Sequence, residues 1–571
     1  MTDSPAAARI FFRWFLAVVA MVLAVATAID RDFLYACFLS GSYFLLVLLA
    51  LVWLAEAFGN ISKNGSQIYG FLQKNGLVLC FSFLFAAFLF MSVGPYFRVL
   101  SDETNLLAVS KSMYFDHKAQ NINQGKWSFF NYEYLEAVDP RRPFLFPFLT
   151  HLLHYLFGYR TYHPFIINYL ALAGTFFLIF LLVKKYLGGV AAWSSFFLIA
   201  AHPVVTQTAA SAGIDWIMVF FITLCFFSLD RYLMAPGENS FALLWLHLLF
   251  LANTRYEAPL YALVIFGCLL AFKKVPFHYF KTSFIYPLTP LLVLPILWQR
   301  VFIRFEWQAP LGVPVFSFEH LLKHQGDFFR SLLRWDFFLP YANVIIFMGL
   351  ISLIYVVFFE VRPRVFRNES LKIVLITAFF VFISSWLLNH AYYHDAWVTP
   401  DGSRLFALSG LAFSLLALIG LYRIPFVKEK PSLILLLSIF LFGIYHSVAI
   451  EGRFSNGLVQ GREYRIVLDF LKDKDVSHTL IVDDRPGMYT VRNFGAVSFT
   501  YANRHKEELL KELESHQIGD IFVIEEIDYE TQRSVNLPPL DSAYLLEPLL
   551  EFQNKTETFV RVSRVSGKGV L

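Results

Sequence analysis

Apolar residues in this chain run in long stretches, without the strict alternation of a half-buried strand or the narrow stripe of a soluble helix. A helix crosses a bilayer core with roughly 20 apolar residues, so such runs are the pattern of membrane spans. The window predicts about thirteen: 10–29, 34–58, 77–93, 165–183, 190–205, 214–229, 241–253, 257–272, 284–303, 342–359, 371–388, 404–421 and 433–450. Several are short or interrupted by His, Pro or Arg. The first has Arg9 and Arg13 at its N-terminal side and no small-residue cleavage site before a soluble domain, so it is read as a retained span.

Lys and Arg set the orientation, because they concentrate in cytoplasmic loops. With the N-terminus inside, the inner loops are 59–76, Lys184-Lys185, Asp230-Arg231, Lys273-Lys274 to Lys281, Arg362 to Lys372 and Arg423 to Lys430, nearly all short and basic. The outer loops are 94–164, 202–213, 304–341 and 389–403, with the C-terminal tail on the same side. Connections beyond about 12–15 residues usually carry function or structure of their own. Within 94–164, Leu106, Leu107, Ser110 and Tyr114 have helical spacing, and Phe144 to Leu156 is a second apolar stretch broken by Pro147. Both read as helices lying along the membrane surface.

After Ile450 the pattern changes. Residues 462–472 and 505–516 read as helices, while Thr479 to Val482 and Ile521 to Ile524 read as short strands. That alternation predicts a small α/β domain with a parallel sheet. It contains no Gly-rich phosphate loop. The expected organisation is a two-helix extension over 1–76, a membrane region over 77–455 and an extracytoplasmic α/β domain over 456–571. The fold class is a polytopic α-helical membrane protein with that small domain appended.

Composition agrees. The chain is 57% hydrophobic and 16% charged, with 65 Phe, against about 25% charged in ordinary soluble domains. A net charge of +4 over 571 residues does not suggest a nucleic-acid partner. Cys37, Cys80, Cys225 and Cys268 all fall in apolar runs, where small buried hydrophobes are expected and disulfides or zinc sites are not.

The candidate chemistry gathers on the outer side. Asp102-Glu103 follow a span by a few residues; alone they are an ordinary interfacial acidic pair. Asp139-Pro140-Arg141-Arg142-Pro143 lies in the same loop, with prolines restricting the backbone around two arginines. Positive charge is biased to the inner face, so outer arginines call for an anionic partner, and guanidinium matches phosphate bidentately. Arg255 stands between two spans, where it could pair with Glu257; Asp215 and Arg404 open spans at the same level, after His202 and after Tyr392-Tyr393-His394-Asp395. Charges near membrane depth default to a functional hypothesis. Acids and arginines on one face suit transfer of a group from a lipid phosphate to a hydroxyl: a carboxylate takes the acceptor proton and cations stabilise the departing phosphate.

Asp102-Glu103 after an early span, a long outer loop closing with Asp-Pro-Arg-Arg-Pro and Leu156 to Gly158, the Asp215 span and Thr254-Arg255 together resemble the GT-C glycosyltransferases. These polyprenyl-phosphate-sugar-dependent enzymes include protein O-mannosyltransferases and the lipid A aminoarabinose transferase, and the likeness covers roughly 77–421. Arg404 to Leu408 resembles the Arg-Tyr opening of a late helix in that family. The resemblance implies Asp102 as general base with Glu103 beside it, and Asp139 as the second loop acid. It implies Arg141, Arg142, Arg255 and Arg404 around the donor phosphate, with Asp215 and His394 in the same cavity. Glu133 and Glu136 are rival second acids, Asp-Pro-Arg-Arg-Pro stands where the aminoarabinose transferases have Glu-Lys-Pro, and two spans precede the Asp102 region where the family usually has none. Some members use a divalent cation (Mg or Mn) and others do not; two acids do not decide.

The resemblance implies a polyprenyl-phosphate sugar donor, attack at its anomeric carbon with inversion, and a glycan, glycolipid or protein acceptor. An oligosaccharide ligase or polymerase would share the outer arginines but lack the early Asp-Glu pair. A polyprenyl-lipid transporter would be expected to show repeats or broken polar spans at the midplane, and a scaffold would need no such clustering. The absence of outer cysteines points to a bacterial inner membrane with the site facing the periplasm or exterior; Asn554-Lys555-Thr556 is a glycosylation acceptor only in a eukaryote.

Overall fold

The computed structural model describes residues 30–568 except 64, 130, 139–141, 277–285, 293–294, 296–311, 334–341, 356–367, 395–401, 425, 427–428, 451–459 and 554–556. By its internal contacts the chain forms two compact units. One comprises Met1–Pro95, Arg141–Phe146 and Phe165–Phe454; the other comprises Tyr96–Pro140, Pro147–Pro164 and Ser455–Leu571.

The first unit is helical. Among the described residues, six helices are long and apolar enough to cross a membrane: Asp32–Asn60, Tyr69–Val93, His163–Leu187, Asp215–Met234, Glu369–Ala391 and Arg404–Arg423. A seventh crossing is formed if Gly189–Ala200 and Pro203–Ala209, bent by 78°, count as one. The protein is therefore an integral membrane protein, but the described residues do not reach the expected thirteen spans. Glu238–Ala252 and Ala258–Ala271 are apolar but short, and at 1.5 Å per residue neither spans a 30 Å core; Asn343–Tyr355 is apolar over its described residues. The predicted span 10–29 and most of 284–303 lie outside the described residues. The bend falls at His202-Pro203, because proline has no N–H for the preceding turn and restricts the residue before it.

Phenylalanine does much of the packing here. Phe85 meets Phe176 at 5.4 Å and Phe196 at 5.7 Å between ring centroids, joining three helices through edge contacts. Helices Asn343–Tyr355 and Ala407–Arg423 approach closely at Gly349, where a Cβ would sit 2.8 Å from the Phe413 carbonyl oxygen. One buried polar chain is paired: Trp53 Nε1 donates to His247 Nε2 at 3.0 Å, and His247 Nδ1 meets Ser228 Oγ at 2.8 Å, which offsets the cost of burying them without water.

The second unit holds a seven-stranded mixed sheet ordered β2-β1-β4-β3-β5-β7-β6. Its strands are β1 Asn121–Ser128, β2 Asn131–Val138, β3 Thr479–Val482, β4 Gly495–Val497, β5 Asp520–Asp528, β6 Tyr544–Gln553 and β7 Thr558–Lys568. β3 runs parallel to β4 and β5, and the other pairs are antiparallel. The two predicted strands are β3 and β5, and the predicted helices are found at Gln460–Leu471 and Lys506–Glu514. Leu480, Val482, Val497, Leu509, Ile521 and Val523 form the core beneath the sheet. The predicted helices of the 94–164 loop appear as Leu100–Asp116 and Leu145–Phe157. The hairpin β1-β2 between them was not expected. It joins the sheet where Gly125 lies opposite Ala496, and a Cβ on Gly125 would come 2.6 Å from the Tyr132 ring.

Candidate active site

In the helical unit, the loop Asn253–Glu257 is fixed from both sides. Asn253 Nδ2 donates to the Leu249 and Leu291 carbonyls, and Thr254 Oγ1 to Leu251 O. Arg255 is thereby buried, with its guanidinium hydrogen-bonded to Asp215. Its Nε lies 2.8 Å from Glu257 Oε1 but off the N–H direction, so that contact is an ion pair only. Asp215 is the first residue of Asp215–Met234, where the helix dipole favours a carboxylate. The turn before it is pinned by Asn168 Nδ2, which donates to Ser211 O at 2.7 Å and Gly213 O at 2.9 Å.

Further charges join this cluster. Burial works against the Arg255 charge, but Glu257 and Asp215 outweigh it and hold its pKa up, while the Arg404 charge pulls the other way. Arg404 sits half-buried in the turn Gly402–Phe406, which Asn389 Nδ2 holds through Leu405 O at 3.0 Å. The Leu145 N–H donates to Asn253 O at 3.3 Å, tying the segment that carries Arg142 to the Arg255 loop. Arg142, also half-buried, acts on the Tyr392 hydroxyl: burial raises the Tyr392 pKa and the Arg142 charge opposes the rise. The unit thus brings together Arg142, Asp215, Arg255, Glu257, Tyr392 and Arg404. His394 follows Tyr393, whose ring is 6.0 Å from it. Among the described residues this cluster holds three arginines and two carboxylates, a set suited to an anion with several oxygens. The sequence shows Glu257 beside Arg255, but the Arg255–Asp215 bond joins positions forty residues apart and leaves no local pattern.

Asp102 and Glu103 belong to the sheet unit, in the first turn of Leu100–Asp116. They have different environments. Glu103 is 2% exposed and its carboxylate accepts the backbone N–H groups of Arg98 at 3.1 Å and Val99 at 3.3 Å. It closes the helix start, where Val99 offers no capping side chain. Asp102 is half-buried on the same turn. Arg98, buried behind Glu103 and donating to the Tyr96 hydroxyl at 2.7 Å, is a cation that sequence reasoning passed over. Glu133 is exposed on β2, opposite Lys126. Asp139 and Arg141 lie outside the described residues, as does the Glu136 side chain. Among the described residues no three His, Cys, Asp or Glu side chains converge as a cation site.

Two and a half turns along the same helix, Lys111 is buried with Nζ donating to Thr490 O at 2.7 Å and lying 4.8 Å from the Tyr132 ring centroid. Burial pushes its pKa from 10.5 down to about 7, with Asp116 opposing the shift. An amine whose folded pKa is depressed destabilises the fold fully below the folded value; that cost is relieved as pH rises towards the unfolded value. Stability of this unit should therefore climb between pH 7 and about pH 10, by up to ~1.4 kcal/mol per unit. Lys111→Met is expected to raise the melting temperature at pH 6–7 and to flatten its pH dependence; parallel profiles for the two proteins would refute this.

No protein-family model matches the chain, and no curated protein matches it in sequence. Solved structures do match it in fold. The chain is similar to ArnT from Cupriavidus metallidurans bound to undecaprenyl phosphate, at 12% identity and a TM-score of 0.53, over 86% of this chain and 98% of that one. The apo form of the same ArnT matches at 12% identity and a TM-score of 0.40, over 87% and 98%. An oligosaccharyltransferase from Archaeoglobus fulgidus matches at 11% identity and 0.44, over 85% and 76%.

Proposed function

We propose that the protein is a membrane glycosyltransferase that takes a sugar from a polyprenyl-phosphate donor. The observation that carries this reading is the arginine layer, with Arg142, Arg255 and Arg404 gathered in a fold shared with a protein crystallised with undecaprenyl phosphate. In this reading Arg142 and Arg404 hold the donor phosphate, and Arg255, locked between Asp215 and Glu257, keeps the layer in place. Arg141 and His394 are the further candidates for donor contact. Asp102 takes the proton of an acceptor hydroxyl as that oxygen attacks the anomeric carbon, and Asp139 is the second acid. The sugar–phosphate bond breaks on the opposite face, so the carbon inverts, and the phosphate leaves with its negative charge on the arginines. Glu103 is the positioning residue that sets the Asp102 turn. The acceptor would be an extracytoplasmic glycan, glycolipid or protein, and the site would face the periplasm of a bacterial inner membrane.

Undecaprenyl phosphate binding to the purified protein tests the phosphate assignment. Arg142→Gln and Arg404→Gln should each weaken it about ten- to a hundredfold, the ~1.5–3 kcal/mol of a charge-assisted bond, and Lys at either position should restore only part, lacking the planar fork. Wild-type affinity in both Gln variants would sink it.

A further inference from the structure

The helix Phe318–Leu332, in the loop 304–341, has three faces where a soluble amphipathic helix has two. At about 100° per residue, His324 and Phe328 point one way and are buried, at 1% exposure each. Phe318, Leu322, Phe329 and the following Leu333 fall within about 60° of arc, yet they are 71%, 60%, 53% and 78% exposed. Glu319, Lys323 and Arg330 form a third, exposed strip beside them. The buried face is firmly seated: Trp386 Nε1 donates to Gln325 Oε1 at 3.0 Å, and the Phe328 and Trp386 rings meet at 4.7 Å. Trp386 in turn packs on Phe406, 6.0 Å away, in the turn that carries Arg404.

An apolar face left open by a helix already packed on its own protein needs a second apolar surface. The spanning helix under it supplies the clue. Phe380 and Leu387 of Glu369–Ala391 are each 48% exposed and belong to a helix apolar enough to cross a membrane. The two helices pack on one another through Trp386 and both leave large apolar side chains exposed; beside that face, Lys323 and Arg330, the latter also 3.0 Å from Asp327, suit anionic headgroups. We propose that Phe318–Leu332 lies in the lipid–water boundary, with Phe318, Leu322, Phe329 and Leu333 among acyl chains and the charged strip among headgroups. The turn bearing Arg404 would then be anchored at phosphate depth through Phe328 and Trp386. This placement follows from the faces of the helix and holds whatever reaction the protein catalyses.

Nitroxide labels on single cysteines test it, in the full chain with Cys37, Cys80, Cys225 and Cys268 replaced by Ser, reconstituted in phosphatidylcholine–phosphatidylglycerol vesicles. At positions 322, 329 and 333, collisions with dissolved oxygen should exceed those with a water-soluble nickel chelate severalfold. At 319 and 323 the order should reverse. Nickel dominating at all five positions would overturn the proposal by placing the apolar face in water. Low accessibility to both reagents at 322 and 329, with spin–spin broadening, would overturn it in favour of a second copy covering that face.

Discussion

Asp102→Asn is expected to slow sugar transfer by about 10²–10⁴-fold, the usual contribution of a positioned general base, while donor affinity and melting temperature stay near wild type. Asparagine keeps the size of the side chain and its place in the first turn of Leu100–Asp116 but accepts no proton. The neighbouring position should behave differently. Glu103→Ala removes the acceptor of two backbone N–H groups, so its main cost should be stability, about 0.5–2 kcal/mol, as for other lost helix caps. Rate loss at Glu103 without stability loss, and none at Asp102, would exchange the two roles.

The second large effect lies in the helical unit. Arg255→Met strands the Asp215 carboxylate, whose side chain is 3% exposed. An uncompensated buried charge typically costs 3–5 kcal/mol, so this variant should show a steep fall in melting temperature in detergent and poor recovery. Asp215→Asn should be milder, because Glu257 remains near the guanidinium. The double variant Arg255→Met/Asp215→Leu removes both charges and should recover much of the loss, giving a coupling energy well above that of independent sites. Additive losses would show that the pair is not coupled.

Much of this could be read in the sequence, and the parts that could not share a cause. Long apolar runs locate helices because each helix closes its own hydrogen bonds; the predicted segments at 34–58, 165–183 and 371–388 match described helices. Length is harder to read, since a run of apolar residues does not tell a full crossing from Glu238–Ala252 or from the bend at His202-Pro203. β3 and β5 were visible as short apolar bursts. The hairpin β1-β2 was not: Asn-Ile-Asn-Gln-Gly-Lys-Trp-Ser carries little apolar periodicity, and its place in the sheet depends on Gly125 meeting Ala496 across the whole membrane region. The site divides similarly. Arg142, Arg255 and Arg404 stand out in the sequence because their charge breaks a hydrophobic context. The Asp215–Arg255 bond and the capping role of Glu103 are pairings in space, and no local pattern announces them.

Turnover tests the proposed sugar transfer most directly. Purified wild-type protein would be incubated with a panel of polyprenyl-phosphate sugars, with release of free polyprenyl phosphate followed beside Asp102→Asn. At least one donor should be consumed by wild type and spared by the variant. If no member of the panel is bound or consumed, the glycosyltransferase reading is contradicted.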